Sequence, residues 1–290
     1  MDRQSRLVGM LQLGRWLAAT YYSGLATVTR FQGALISFRI SYMADHFQLR
    51  LVDSSMIAPT VRHLAFERVD GQPLAFQPGQ FLQVHFHYDD GTATKRSYSV
   101  ATVGDGFSPV ARIEIAVSYV QGGAATKLLG ELPLGGTIDA SGPYGRFCLQ
   151  EADRHPRYLL IATGTGVTPY RAMLPQIGKL LAAGDREVVL LYGARNEGEL
   201  LYGEEFEAFA QQHPRFAFHG CLSRQPRALP RPNDRDGHVQ SVLTELEPHV
   251  DRDIAYLCGN PNMVDAAFAA LKEFGLPVHQ IRREKYISSR

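Results

Sequence analysis

Residues 96–102 read RSYSVAT, which puts a guanidinium, a phenol and two hydroxyls on one extended run. Side chains alternate along a strand, so Arg96 and Tyr98 share one face while Ser97 and Ser99 share the other. That grouping suits a ligand with both a phosphate group and a flat ring. Arg96 would grip a diphosphate, Tyr98 would lie against the ring, and Ser99 would offer its hydroxyl to a ring nitrogen. The same residues also describe a half-buried strand whose tyrosine packs and whose arginine snorkels. Further on, Gly122 and Gly123 precede AATKLLGEL, so that with Thr126 they form a backbone nest for an anion.

A second run, Thr163-Gly164-Thr165-Gly166-Val167-Thr168-Pro169, reads as a strand-to-helix turn. Two glycines let backbone approach a bulky anion, Thr168 suits an N-cap, and Pro169 suits the first helical position. A helix start of this kind attracts phosphate, although a turn that merely joins strand to helix looks the same. Two later strands end in YGAR and CLSR, bringing Arg195, Ser223 and Arg224 to the same edge. Two arginines and a hydroxyl match the 2′-phosphate of NADP better than the bare ribose of NAD, for which an acid is the usual partner. Solvated surface charge is the alternative. In Cys258-Gly259-Asn260-Pro261-Asn262-Met263 a glycine again opens an approach and a proline starts a helix. Cys258 stands at that edge either to touch a flat ring or as a buried structural thiol.

The elements that carry these residues fall into two rhythms. From Gln48 to Gln150, HLAFERV, GQFLQVHF, KRSYSVAT and ARIEIAVSYV alternate at period two between Gly/Pro/Asp punctuation, which predicts an antiparallel barrel. After Arg157, apolar strands such as RYLLIATG and EVVLLYGAR alternate with helices such as TPYRAMLPQIGKLLAAG. That alternation predicts a parallel sheet covered on both faces, with ligands at its carboxyl edge. The fold class expected is β followed by α/β. The divisions expected are an N-terminal extension over 1–46, poorly ordered, a barrel over 47–152 and an α/β half over 153–290.

Composition narrows the function. The 290 residues carry a formal net charge of +1 with no dense basic block, which disfavours nucleic acid as the main partner. Three cysteines, Cys148, Cys221 and Cys258, lie too far apart for a disulfide framework. They are also too few for an iron–sulfur cluster, so no metal centre is expected and reduced thiols point to the cytoplasm. Residues 1–42 contain five arginines, no lysine and one acid, and their longest uncharged stretch, WLAATYYSGLATVT, is too short and polar to span a bilayer.

Taken in order, RSYS, GG…T, GPYGRF, GTGVTP, YGAR, SR and CGNPNM resemble the ferredoxin–NADP reductase family of flavoproteins, bacterial type, over residues 48–286. The resemblance implies an antiparallel flavin-binding barrel followed by a five-stranded parallel sheet, with FAD on the barrel, held by Arg96, Ser97, Tyr98, Ser99, Val100, Ile115, Ala116, Val117, Gly122, Gly123 and Thr126. It implies NADP(H) on the α/β half, at Thr165, Gly166, Thr168, Pro169, Arg195, Ser223, Arg224, Gly259, Pro261 and Met263. Ser99, Cys258 and Tyr286 fall where the two rings meet, with Tyr286 over the flavin. Where NADP-using members often carry a third basic residue, this chain reads Gly237-His238.

The activity so implied is hydride transfer between NADPH and FAD, with single electrons passed to or from a separate ferredoxin or flavodoxin by a monomer. Three alternatives stay open: an NADH-dependent reductase component of an oxygenase system, a free-flavin reductase, and a flavin-binding redox scaffold or sensor.

Overall fold

The computed structural model describes residues 45–105, 108–119 and 122–286, and the backbone of three short strands before them. Those three, β1 (Thr20–Tyr22), β2 (Leu25–Thr27) and β3 (Ser37–Phe38), pair antiparallel in a unit of their own. The rest of the expected 1–46 extension, up to residue 44, lies outside the described residues.

The first large sheet is antiparallel and six-stranded. Its strands are β4 (Asp45–Ala58), β5 (Val61–Arg68), β6 (Phe81–His87), β7 (Ala93–Ser99), β8 (Ile113–Ser118) and β9 (Thr137–Tyr144). They lie in the order β7-β6-β9-β4-β5-β8. A bridge between Val100 and Ile115 joins the two edges and closes the barrel. Period-two patterning explains the core: Leu82, Val84, Leu64, Phe66, Ile113 and Ile115 point inward and are buried. β4 is absent from the alternation read in the sequence, because register shifts at Leu51/Asp53 and Met56/Ala58 break its period and DSS imitates a turn. Helix α1 (Ala124–Glu131) lies between β8 and β9.

The second sheet is parallel and has six strands, not the expected five. The order β13-β12-β11-β10-β14-β15 is built from β10 (Arg157–Thr163), β11 (Glu187–Ala194), β12 (Phe216–Leu222), β13 (Arg235–Asp236), β14 (Asp253–Gly259) and β15 (Ile281–Lys285). The unexpected member, β13, is two residues long and too short to show any periodicity. Helices α2 (Thr168–Ala182), α3 (Gly203–Gln212), α4 (Val239–Glu245) and α5 (Pro261–Glu273) cover the sheet. Its central strands are buried on both faces. Leu160, Leu190 and Tyr256 look one way, and Leu159, Leu191 and Ala255 the other, into two separate cores.

Barrel and sheet are joined through the first of these cores, which also contains Ala58, Val61, Ala116 and Phe147. A polar clasp adds to it. Arg171 on α2 donates to Glu114 Oε2 on β8 at 2.6 Å and to the Ala101 carbonyl at 2.8 Å, and His63 Nδ1 lies 2.9 Å from the Tyr202 hydroxyl. Burial alone would raise the Glu114 carboxyl, but bonds from His63 and Arg171 hold it well below the usual carboxylate range. The two halves therefore meet on a fixed seam, and whatever binds along it finds its walls already in place.

Candidate functional site at the barrel–sheet seam

A cleft of about 2400 Å³ runs along the barrel from His85 and Arg96, past Tyr98 and Ser99, to Gly122, Gly123 and Thr126 at the start of α1. It ends against Thr165, Thr168, Glu284 and Tyr286 of the parallel sheet. A second cavity of about 690 Å³ lies over the carboxyl ends of the parallel strands, lined by Gly164, Arg195, Glu199, Ser223, His238, Asn260 and Met263. Ser118, Thr165 and Tyr286 line both.

Register explains why the barrel residues converge. Arg96 and Tyr98 are the partners of Val84 and Leu82, whereas Ser97 and Ser99 face Gln83 and Phe81. Two faces of one strand therefore meet one cleft. The Arg96 guanidinium is held by the Tyr88 hydroxyl at 2.8 Å and by its neighbour's carbonyl at 2.9 Å. Burial pushes the Tyr98 phenol up to about 12, against the opposing pull of Arg96, so it stays neutral. Ala116 also lines the cleft. Val100, Ile115 and Val117, expected at the cofactor, have their side chains in the barrel core. Only their backbone lies near the strand edge, since alternation turns every second residue inward.

At the sheet end, three strand termini interlock. Gly166 and Gly259 are needed because backbone meets backbone. A Cβ on Gly166 would fall 2.3 Å from the Cys258 carbonyl oxygen, and one on Gly259 would fall 2.5 Å from that of Thr163. The glycines at these two positions therefore pack strand against turn, whereas the expectation was space for a ligand; Gly164, with φ +55° and nothing within 4 Å, is the open one. Thr168 is also not an N-cap. A 3₁₀ turn over Gly164–Val167 precedes α2, and Thr168 is its first helical residue. Its buried Oγ1 has no hydrogen-bond partner and stands at the cleft. Pro169 and Pro261 lie in the first turn of their helices and line neither cavity.

Cys258 is fully buried rather than presented to the cleft, and burial pushes its thiol far above the ordinary value. A thiol so placed remains protonated. In front of it stands Tyr286, whose hydroxyl shares hydrogen bonds with Ser99 Oγ and with Cys258, and whose N–H donates to the Gly259 carbonyl at 2.8 Å. Tyr286 is thus the partition between the two cavities, tied to the barrel on one side and the sheet on the other.

Glu284 was not among the expected residues. It lies two places before Tyr286 on β15 and lines the large cleft. It makes no hydrogen bond or ion pair among the described residues, and burial pushes its carboxyl up to about 7. Its charge is felt by Cys258, Tyr170 and Tyr286. The signal in the sequence was the i, i+2 spacing to Tyr286, which puts both side chains on one face of a strand.

At the far end of the small cavity, Arg195 donates Nε–H to Glu199 Oε2 at 2.8 Å and pairs with its other oxygen as well. The Arg224 guanidinium makes no hydrogen bond or ion pair among the described residues and lies outside the cavity lining, although its charge helps lower the Glu199 carboxyl, after the larger effect of Arg195. Ser223 Oγ donates to the Ala194 carbonyl at 3.2 Å, leaving its lone pairs and not its proton for a ligand.

This arrangement has known counterparts. Residues 48–148 match the oxidoreductase FAD-binding domain family and residues 160–268 the oxidoreductase NAD-binding domain family. The chain is 36% identical over 255 residues to ferredoxin–NADP reductase B of Sorangium cellulosum, covering 84% of this chain and 98% of that protein. It is 30% identical over 257 residues to the phenol hydroxylase P5 protein of Acinetobacter pittii, covering 86% of this chain and 68% of that one. Among solved structures, the cytochrome P450 reductase GcoB of Amycolatopsis superposes with a TM-score of 0.72 at 30% identity, over 86% of this chain and 72% of that chain.

FAD fits the large cleft on its own terms. The cleft has a guanidinium and a helix start at the diphosphate end, a neutral phenol beside the ring and a hydroxyl at the seam. NADP(H) fits the small cavity, which lies over the carboxyl ends of the parallel strands and shares Thr165 and Tyr286 with the cleft. No helix among the described residues is long and apolar enough to cross a membrane.

Proposed function

The chain belongs to the ferredoxin–NADP reductase family of FAD- and NAD(P)-binding oxidoreductases, and from that premise we propose that it moves hydride between NADPH and bound FAD. Single electrons then pass to or from a separate ferredoxin or flavodoxin. The observation that carries this reading is Tyr286, whose side chain, among the described residues, is the one that both bonds across the two halves and lines both cavities. The division of labour is a flavin half over 47–152 and a nucleotide half over 153–290.

When bound, the flavin supplies the chemistry, accepting two electrons together and releasing them singly. The chain's residues hold and orient. Arg96, with Gly122, Gly123 and Thr126, takes the diphosphate; Tyr98 packs against the ring system; Ser99 and Cys258 position by hydrogen bond. Tyr286, which lines both cavities, would cover the ring at the seam. Two rings in fixed contact account for most of the acceleration, since orientation replaces a chance encounter.

Reduction of FAD to FADH2 by NADPH takes up one proton, and Glu284, at the seam end of the cleft, can hold it near neutral pH. Its carboxyl is protonated below about 7 and ionised above. The rate of nucleotide-driven flavin reduction is therefore expected to fall as pH rises through about 7. Glu284→Gln flattens that profile and slows the step about tenfold or more. Stopped-flow absorbance across pH 5.5–9 checks this, and an unchanged inflection in the variant removes Glu284 from the proton path.

Anaerobic titration of the purified protein with NADPH, then with NADH, tests the function as a whole, followed by mixing with ferredoxin and with flavodoxin. Bleaching of the flavin and onward one-electron transfer are expected. A protein that purifies without flavin, or keeps its visible absorption under NADPH, contradicts the reading. A further expectation concerns Arg224. Arg224→Ala raises the Michaelis constant for NADPH about tenfold and leaves NADH nearly unchanged, the loss of one charge-assisted contact. Equal changes for both nucleotides would place that arginine elsewhere.

A second reading, an NADH-dependent reductase component feeding an oxygenase system, draws support from the Arg195–Glu199 pair. A carboxylate occupies the arginine fork that a 2′-phosphate needs, and an acid at this position suits a bare ribose. The ratio of steady-state rates with the two nucleotides separates the readings.

A further inference from the structure

Arg171 stands between the segments that carry the two halves of the site. It leaves α2 one turn after Thr168, and its guanidinium meets the barrel at Ala101, two residues after Ser99; Thr168 and Ser99 both line the large cleft. The reach is short on each side, about 4.5 Å along the helix and about 7 Å along the strand. The place it touches is where the barrel closes. Val100 bridges to Ile115, and the Ala101 N–H donates to the Glu114 carbonyl at 2.7 Å. Arg171 Nη1 then donates to the Ala101 carbonyl and the Glu114 carboxylate together. One side chain therefore seals the barrel and tethers the helix whose start faces the cleft.

Further contacts stop the guanidinium from swinging away. Its Nε–H donates to Glu205 Oε2 on α3 at 2.7 Å, and its carbon lies 4.5 Å from the centroid of the Tyr202 ring. Tyr202 is itself held at φ +56°, a conformation that costs a residue with a side chain, and its hydroxyl lies 2.9 Å from His63 Nδ1 of the barrel. Eight residues further along α2, Lys179 repeats the pattern by donating to the Asp105 carbonyl at 3.0 Å. The helix thus follows the chain beyond β7 for two turns. Arg171 lines neither cavity, so contact with a cofactor is not its part.

We propose that Arg171 is a positioning residue for hydride transfer: it fixes the start of α2 against the continuation of the RSYS strand and so sets how closely nicotinamide approaches flavin. This rests on the proposed function. Each cofactor's cradle lies largely in one half, so a small shift between the halves spares affinity, whereas about 1 Å of misplacement costs transfer up to about a hundredfold. Arg171→Met is expected to fold, because Glu114 keeps Arg112 Nε–H at 3.0 Å and Glu205 is exposed enough to be hydrated. Stopped-flow mixing of this variant with saturating NADPH or NADH is expected to show flavin reduction slowed about thirtyfold. FAD content and the NADP⁺ dissociation constant from calorimetry are expected to change less than about twofold. The long-wavelength charge-transfer absorbance of the stacked rings reports their contact, and is expected to weaken in parallel with the rate. Arg171→Lys keeps the charge without the rigid fork that spans carboxylate and carbonyl, and is expected to lie between native and Met. Native rates and absorbance in both variants, or a loss confined to nucleotide affinity, overturn the positioning role. Should Arg171→Met fail to fold, Arg171→Lys decides by the same two readings. A native protein whose flavin neither nucleotide reduces is a different result and overturns the proposed function instead.

Discussion

Gly259→Ala is expected to destabilise the protein by about 4 kcal/mol and to slow nucleotide-driven flavin reduction about a hundredfold. Gly259 adopts φ +129°, where an L side chain is strained. The added methyl would also fall 2.5 Å from the Thr163 carbonyl oxygen and 2.8 Å from its hydroxyl. Neither is a flexible side-chain end that can swing away, because Thr163 closes β10. Separation of the two strands breaks two bonds that organise the seam. One is Asn260 N–H to Thr163 Oγ1 at 3.1 Å, and the other is Tyr286 N–H to the Gly259 carbonyl at 2.8 Å. A methyl far too small to block a ligand thus displaces both the nucleotide turn and the tyrosine partition. Urea unfolding and stopped-flow reduction measure the two effects. Stability within 0.5 kcal/mol of the parent, with an unchanged rate, would show that the strand ends are not coupled as described.

The other large effect lies at the opposite end of the same sheet. Asp253→Ala is expected to lower stability by about 3–5 kcal/mol. Asp253 opens β14 and is fully buried; it accepts Arg157 Nε–H at 2.6 Å and Nη2–H at 3.0 Å, and the His249 N–H at 2.7 Å. Its partner opens β10 in direct register with it. Removal of the carboxylate strands the Arg157 guanidinium among apolar strands, with only the Leu246 carbonyl left at 2.8 Å. An isolated buried charge is far worse than none. The double variant Arg157→Met/Asp253→Leu should therefore recover most of the loss. Chemical denaturation of the three variants checks this, and a double variant as unstable as Asp253→Ala alone would mean the pair holds the sheet by more than mutual neutralisation.

Much of the site was legible because its residues are local. RSYS, GTGVTP and CGNPNM each carry their chemistry within a few positions of one strand end, and strand alternation then dictates which side chains share a face. Glu284 escaped because a glutamate on a short final strand looks like surface charge. Only the pairing of β15 with β14, which sets Glu284 in register with Cys258, gives it a burial that pushes its carboxyl to about 7. The reading of Thr168 as a cap failed for a related reason. It was judged by residue type at a strand end, whereas a 3₁₀ turn shifted it; Cys258, at another strand end, is buried behind Tyr286. His238 reached the small cavity through a two-residue strand that leaves no periodic trace.

From its own pattern of apolar residues and glycines, the chain determined a barrel followed by a doubly covered parallel sheet, and which turns stand at the sheet's carboxyl edge. Hydrophobic period and backbone permissiveness are properties of neighbouring residues, so a linear reading captures them. The tertiary structure alone decided which side chains meet across the seam: Ser99 with Tyr286, Glu284 behind them, and Arg195 with Glu199 near His238. Those contacts join strands far apart in the chain, and their energies depend on burial and charge that exist only once barrel and sheet are packed together.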